Sequence, residues 1–313
     1  MFYTYCILLD NLQLLIKEKI MERILNLNEI SLDIGAIASK AILYEVSCFP
    51  SPGLVSPVSV GSHKDMDYYT FIDSTFAINK YLTLFANEGM KDNKLDKIFL
   101  NIKKIGVEAE KAMFLSTKNV NTHKGMIFLI GICVAAASNV IYKGKDFKHI
   151  QETIKDMCKD ITKNDFKDLD KKESLTHGEK LYLNYGIKGV RGEAEEGIPL
   201  VFQYALGLYE ENLSLKENER LVHTLIGIMQ FCDDSTVIHR KGIEGLNYVK
   251  DISREIMKLG GMKTDLGREM IGKLNDEFIK MNISPGGSAD LLGVTVFLYL
   301  IKEYIFNLIK SEC

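Results

Sequence analysis

The side chains with the most chemistry to offer gather in five short segments bearing glycine or proline. The first runs through Pro50-Ser51-Pro52-Gly53 and then Gly61-Ser62-His63-Lys64-Asp65-Met66-Asp67. Asp65 and Asp67 offer hard oxygen ligands to Mg²⁺, with waters completing the shell. His63 can donate to a phosphate or orient a carboxylate, and Lys64 adds a point charge. A plainer reading competes: a loop in which Asp67 caps the following helix. The second segment, Asn121-Thr122-His123-Lys124-Gly125, opens an apolar stretch. Free N–H groups at a helix start, with His123 and Lys124 beside them, suit a phosphate. A Thr122 cap with a solvated lysine explains the same residues.

The third segment, Tyr185 to Gly197, carries Lys188, Arg191, Glu193, Glu195 and Glu196 among four glycines. Glycine lets backbone approach a ligand closely, and the two cations suit anionic groups. Glu193 and Glu196 share a helix face if a helix begins by 193, and can then share a metal or orient a sugar hydroxyl. The alternative is a charged surface loop. The lysine does not follow the glycines as GK[ST], so this is no Walker loop. The fourth segment joins Asp233-Asp234-Ser235-Thr236 to His239-Arg240, uniting metal and phosphate chemistry or simply capping a short helix. The fifth, Ser284-Pro285-Gly286-Gly287-Ser288-Ala289-Asp290, puts Asp290 in the first turn of the last helix, where a negative charge is favourable even without a ligand.

The elements that must position these segments read as helices. Ile30, Ile34, Ile37, Ala38, Ala41 and Ile42 recur three or four apart, and Glu45 takes the next place on that stripe. Pro50, Pro52 and Pro57 then enforce a loop. Further helices are expected over 67–88, 99–115, 124–142, 146–159, 175–184, 200–211, 217–231, 246–259, 264–280 and 288–309. No strand series of period two appears, nor the strand, glycine loop and helix order of a dinucleotide fold. The expectation is therefore an all-α, multi-helical globular bundle. Residues 1–29 read as an N-terminal extension or extra helix, with Met21 a second plausible start, and residues 30–313 as a single helical catalytic domain.

Of the 313 residues, 46% are hydrophobic and 26% charged, with a formal charge of -3, which is ordinary globular composition. That balance argues against duplex DNA or an anionic membrane as the main partner. The uncharged run Met126 to Tyr142 sits at the short end of the membrane-spanning range but contains Ser138 and Asn139, and reads as a buried core helix. Six cysteines without a CxxC pair fit a reduced, cytoplasmic setting.

Glu45 to Val55, His63-Lys64-Asp65-Met66-Asp67-Tyr68, Asn121 to Gly125, Gly189-Val190-Arg191-Gly192-Glu193-Ala194 and Ser284 to Leu292 together resemble the triphosphoribosyl-dephospho-CoA synthases, in that family's order. The resemblance implies an all-α fold, dependence on a divalent metal such as Mg²⁺, and a reaction that composition cannot reveal. ATP gives its triphosphoribosyl unit to 3′-dephospho-CoA and adenine leaves. The product later reaches the acyl-carrier subunit of citrate lyase or malonate decarboxylase. Ser51 departs from the family's usual lysine, which weakens a phosphate role there. Asp234-Ser235 departs from Thr-Asn, which puts those two positions in doubt and leaves Asp233.

The expected catalytic carboxylates are Asp67 and Glu193, with Asp65. The expected metal ligands come from Asp65, Asp67, Glu193, Glu196, Asp233 and Asp290. The expected phosphate contacts are His63, Lys64, His123, Lys124, Lys188, Arg191, His239 and Arg240. Two other functions fit the same residues: a metal-dependent nucleotide or ADP-ribose hydrolase, separated by its products, and a non-catalytic helical interaction protein, separated by its failure to release adenine from ATP.

Overall fold

The computed structural model describes residues 29–312 apart from 168, 170, 171 and 173. The expected N-terminal extension therefore lies, except for Glu29, outside the described residues. Among these residues no strand forms, only one isolated bridge between Ser56 and Ser59.

Four long helices build the first half: α1 (Glu29–Ser47), α2 (Tyr68–Gly89), α3 (Leu95–Ser116) and α4 (Lys124–Tyr142). Each buries the stripe its sequence supplies. α1 buries Ile34, Ala38, Ala41 and Ile42, and the same face carries Glu45 inward. α2 lies along α1, with Ser39 Oγ donating to Asn79 Oδ1 at 2.5 Å across the seam. Helix α3 buries only Ile98, Ile102, Ala109 and Met113, and the rest of its surface is largely charged or polar. α4 is different: nearly every residue from Met126 to Val140 is buried, so it has no polar face. It packs against α2, α3 and α13 (Gly286–Glu312) and forms the centre of the apolar core. Two helical stretches, Lys124–Tyr142 and Gly286–Leu308, are long and apolar enough to cross a membrane, with mean hydropathy 2.0 and 1.5, and 78% and 56% of these windows is buried within the fold.

Shorter elements follow: α5 (Ile150–Met157), α6 (Ile161–Asp165), α7 (His177–Tyr185) and α8 (Gly189–Glu195). α8 stands where the sequence reads as a glycine-rich loop. Gly189 enters it at φ +55°, a conformation that favours glycine, and Ala194 seals its inner face in the core. A wide π-type turn over Val201–Ala205 replaces the expected start of a helix at 200 and leads into α9 (Leu206–Glu211). α10 (Glu217–Met229), α11 (Ser235–Lys258) and α12 (Asp265–Met281) complete the order. α11 starts well before the expected residue 246 and is broken at Gly242, at φ 68° and ψ -171°. α13 begins two residues earlier than expected, which leaves Asp290 beyond its first turn.

The end of α2 meets the middle of α4 without side-chain clearance. A Cβ at Gly89 would stand 2.2 Å from the carbonyl oxygen of Ala135, and buried Asn139 Nδ2 donates to the Gly89 carbonyl at 3.1 Å. Backbone cannot yield as a flexible side chain would. Gly89→Ala is expected to lower stability by about 1–3 kcal/mol despite alanine's better helix propensity. Thermal denaturation checks it, and an unchanged midpoint would contradict the packing.

Candidate active site

Helix α8, the turn before it and the starts of α11 and α13 enclose a cavity of about 410 Å³. This is within the roughly 300–1,000 Å³ of small-molecule sites. Tyr185, Lys188, Glu193, Glu196, Asp233 and Ser235 line it, together with Cys232 and Gly287. Four of the expected site residues therefore meet here: Lys188, Glu193, Glu196 and Asp233. Lys188 Nζ lies 3.4 Å from Glu195 Oε2, and Asp233 Oδ1 accepts from Lys250 Nζ at 2.5 Å. Glu193 is partly buried, and its Oε2 is a buried oxygen with no hydrogen-bond partner. Burial and then the Glu196 carboxylate, with a smaller push from Asp233, raise its pKa to about 7, against an opposing hydrogen bond from the Leu200 N–H. A carboxyl so placed can exchange a proton at neutral pH.

Asp234, doubted on sequence, fixes this wall. It caps α11 by accepting from Thr236 N at 3.0 Å and Val237 N at 3.2 Å. Its other oxygen accepts from Ser288 N at 2.8 Å and Ser288 Oγ at 3.0 Å, binding the start of α13 to the start of α11. Burial still raises its pKa, against donors from Ser288, Val237 and Gly287 that lower it. Cys232 beside it is buried and its thiol is held well above the usual range, first by burial and then by Asp234, so it stays protonated.

A second pair of carboxylates was only half visible in the sequence. Glu45 of α1 is 6% exposed, and burial alone raises it to about 8. Asp290 of α13 is pushed well above the ordinary carboxylate range by burial, then by Glu45 and Asp234. Its Oδ2 would stand 2.0 Å from a Cβ at Gly125, so only glycine at the start of α4 permits this approach. No hydrogen bond or ion pair to either carboxylate is formed among the described residues. Glu45 was missed as a site residue because one acid at the end of an apolar stripe reads as the stripe's end; its only signal was that it lay on the buried face.

The other expected residues go elsewhere. Asp67 is exposed and caps α2, accepting from Thr70 N at 2.9 Å and Thr70 Oγ1 at 2.7 Å, which holds its pKa down. This is the capping reading, and Asp67 does not line the cavity, nor does exposed Asp65, 3.9 Å from His63 Nδ1. His63 Nε2 is 2.9 Å from Ser284 Oγ, and Nδ1 is 3.3 Å from Arg240 Nη2. Burial and then Arg240 push its imidazole down to about 4, so it is neutral. Arg240 also donates to the Ser62 carbonyl at 2.9 Å and Asn282 Oδ1 at 2.8 Å. His63 and Arg240 thus fasten the 48–67 loop to the junction of α12 and α13. His123 is buried beneath the start of α4, 2.7 Å from Ser74 Oγ, and is held neutral at about 3 by burial. Lys124 pairs with Glu110 at 3.1 Å. Arg191 turns from the cavity to Asp165, its Nε donating at 2.8 Å, and covers the Phe166 ring. Lys64 and His239 are exposed and do not line the cavity.

The buried acid of α1 makes stability depend on pH in a definite sense. Its folded pKa of about 8 lies above the unfolded value of 4.5, so the folded chain holds the extra proton between these limits. The stability this proton confers is complete below 4.5 and is lost as pH rises through about 8. Glu45→Gln in metal-free buffer is expected to flatten that loss and raise stability at alkaline pH by about 1–3 kcal/mol. Parallel pH–denaturation curves would refute it.

The model of the family described as ATP:dephospho-CoA triphosphoribosyl transferase matches residues 31–307. A Lactiplantibacillus plantarum protein named as a 2-(5''-triphosphoribosyl)-3'-dephosphocoenzyme-A synthase is 41% identical over 274 residues, covering 86% of this chain and 96% of its own. A Vibrio cholerae protein of the same name is 38% identical over 276 residues, covering 86% of this chain and 88% of its own. Protein CitXG of Leuconostoc mesenteroides is 41% identical over 271 residues, covering 83% of this chain and 57% of the longer relative. Identity of this extent, together with a family match spanning nearly all of the helical fold, places the chain in the ATP:dephospho-CoA triphosphoribosyl transferase family.

Proposed function

We propose that this chain transfers the 5-triphosphoribosyl group of ATP to the ribose 2′-hydroxyl of 3′-dephospho-CoA and releases adenine. The observation that carries the chemistry is Glu193: a carboxylate near neutral pKa, with an unpaired buried oxygen, in a cavity of small-molecule size. The family's description supplies ATP and dephospho-CoA as substrates, and the relatives' names the product. In this reading the glycosidic bond from the anomeric carbon to adenine breaks as a bond to the attacking hydroxyl oxygen forms. Glu193 takes the hydroxyl proton, and the negative charges of Glu196 and Asp233 favour the cationic character that develops at the anomeric carbon. Adenine receives a proton from solvent as it leaves. Lys188 can exchange Glu195 for a phosphate oxygen, and the triphosphate stays intact.

The cavity's donor set suits Mg²⁺. Glu196 and Asp233 offer oxygen only, the ligand type this ion takes, and among the described residues no three such side chains are arranged to hold an ion by themselves, so water and phosphate would fill most of its shell while Glu193 stays free as the base. Of the six acids expected at the metal, Asp65, Asp67 and Asp290 do not line this cavity, Asp67 because it caps α2. When bound, Mg²⁺ would neutralise triphosphate charge. A reducing, cytoplasmic setting suits the four described cysteines, which are buried and free. Delivery of the product to the acyl-carrier subunit of citrate lyase or malonate decarboxylase is the downstream step this reading entails.

Purified protein incubated with ATP, Mg²⁺ and 3′-dephospho-CoA is expected to yield equimolar adenine and a triphosphoribosyl-dephospho-CoA adduct by mass. ADP, AMP or pyrophosphate as the stoichiometric product, or adenine with free triphosphoribose, would overturn the reading. Because Glu193 must be ionised to accept the proton, kcat/KM is expected to rise with pH through about 7. Glu193→Gln should lower the rate by roughly 10²–10⁴ and abolish that limb; a near-wild-type rate would remove Glu193 from the chemistry.

A further inference from the structure

Glu45 and Asp290 need an account of their own, because the cavity chemistry uses neither. They come from α1 and α13, two helices that pack side by side, and they meet beside the start of α4. The packing there is arranged around small residues. Gly125 leaves room for the Asp290 carboxylate. Gly293, one turn further along α13, accepts Met126 so closely that a Cβ would stand 2.4 Å from Met126 Cε and 3.8 Å from Glu45 Cβ. Glu45 is over nine-tenths buried, its carboxylate has no hydrogen-bond or ion-pair partner among the described residues, and its field is felt at Asp290. Two carboxylates brought together without an arginine, a lysine or a backbone N–H, Glu45 buried and Asp290 partly so, lack the pairing that acids in such places ordinarily have.

We propose that Glu45 and Asp290 form a seat for one divalent cation of the Mg²⁺ or Mn²⁺ type, separate from the cavity carboxylates. Two facts favour an ion of this class. The ligands are hard oxygens, which suit Mg²⁺ and Mn²⁺ better than the softer metals taken by thiolates and imidazoles. And the protein places only these two carboxylates there, a partial shell of the kind such an ion completes with water or phosphate. Mg²⁺ is characteristically held by one or two carboxylates, with waters and substrate phosphates supplying the rest. Asp290 stands at the amino end of α4, where free N–H groups and the helix dipole favour an anion, so a phosphate bound to the same ion would find its complement there. The seat follows from the packing of α1, α4 and α13 and does not rest on the transferase reading.

The test counts ions rather than turnover. Metal-stripped full-length protein is titrated with MnCl₂ at neutral pH, and free Mn²⁺ is followed by electron paramagnetic resonance. Glu45→Gln and Asp290→Asn are each expected to bind one Mn²⁺ per chain fewer than the wild type, whatever number the cavity holds, and Glu45→Asp to regain it. Thermal unfolding without metal shows which variants are folded, and either neutral variant alone suffices. Equal Mn²⁺ stoichiometry in the wild type and the folded neutral variants, including none in both, would overturn the seat. The adduct assay is scored separately, so loss of the seat and loss of the transferase reading give different results.

Discussion

One buried carboxylate holds the start of two helices at once. Asp234 accepts two backbone N–H groups from its own helix α11 and a backbone N–H and a hydroxyl from Ser288 of α13. A helix start leaves unsatisfied donors, and burying them without partners would be costly. Here a single side chain answers both ends, so the two helices are set relative to each other by four hydrogen bonds and not only by apolar packing. Asp233 and Ser235 on either side of Asp234, and Gly287 beside Ser288, are thereby fixed as walls of the cavity. Replacing Asp234 by an apolar residue would free donors on both helices in a place that water does not easily reach.

The acids around this joint gain from the same geometry. The beginnings of α4, α11 and α13 gather near Asp234 and Asp290. The partial positive charge at a helix start favours negative groups within its first turn. Burial works against this, which is why Glu193, Asp234, Glu45 and Asp290 all have raised affinities for protons. The chain thus gathers acids that hold protons near neutral pH, and sets Lys188 in the lining of the cavity beside Glu193.

Much of the fold was legible because burial follows simple periodicities. The apolar run from 124 to 142 became α4 with those boundaries, and the stripe through Ile34, Ala38 and Ile42 became the buried face of α1. What escaped depended on distant partners. Four glycines between 186 and 197 looked like a loop, yet Gly189–Glu195 is helical because Ala194 finds a place in the core. Sequence favoured Asp233 over Asp234, but the latter's worth lies in Ser288, far along the chain. His123 and Arg191 have the right chemistry for phosphate, but His123 is buried against Ser74 and Arg191 is spent on Asp165. Residue type indicates what a side chain can do; its direction depends on neighbours that local spacing does not reveal.

The meeting of Glu45 with Asp290 also bears on how the molecule comes into being. Helix α1 is near the beginning of the described chain and α13 at its end, yet they lie against each other and against α4. Contacts between residues so far apart in sequence close large loops and form late. During synthesis, α1, α2, α3 and α4 can associate as they emerge, but Glu45 has no opposing acid until the last helix leaves the ribosome and docks. A chain cut short before α13 would lack Asp290, the Ser288 anchor and one wall of the cavity together, leaving the acids of α8 and α11 without the helix that braces Asp234.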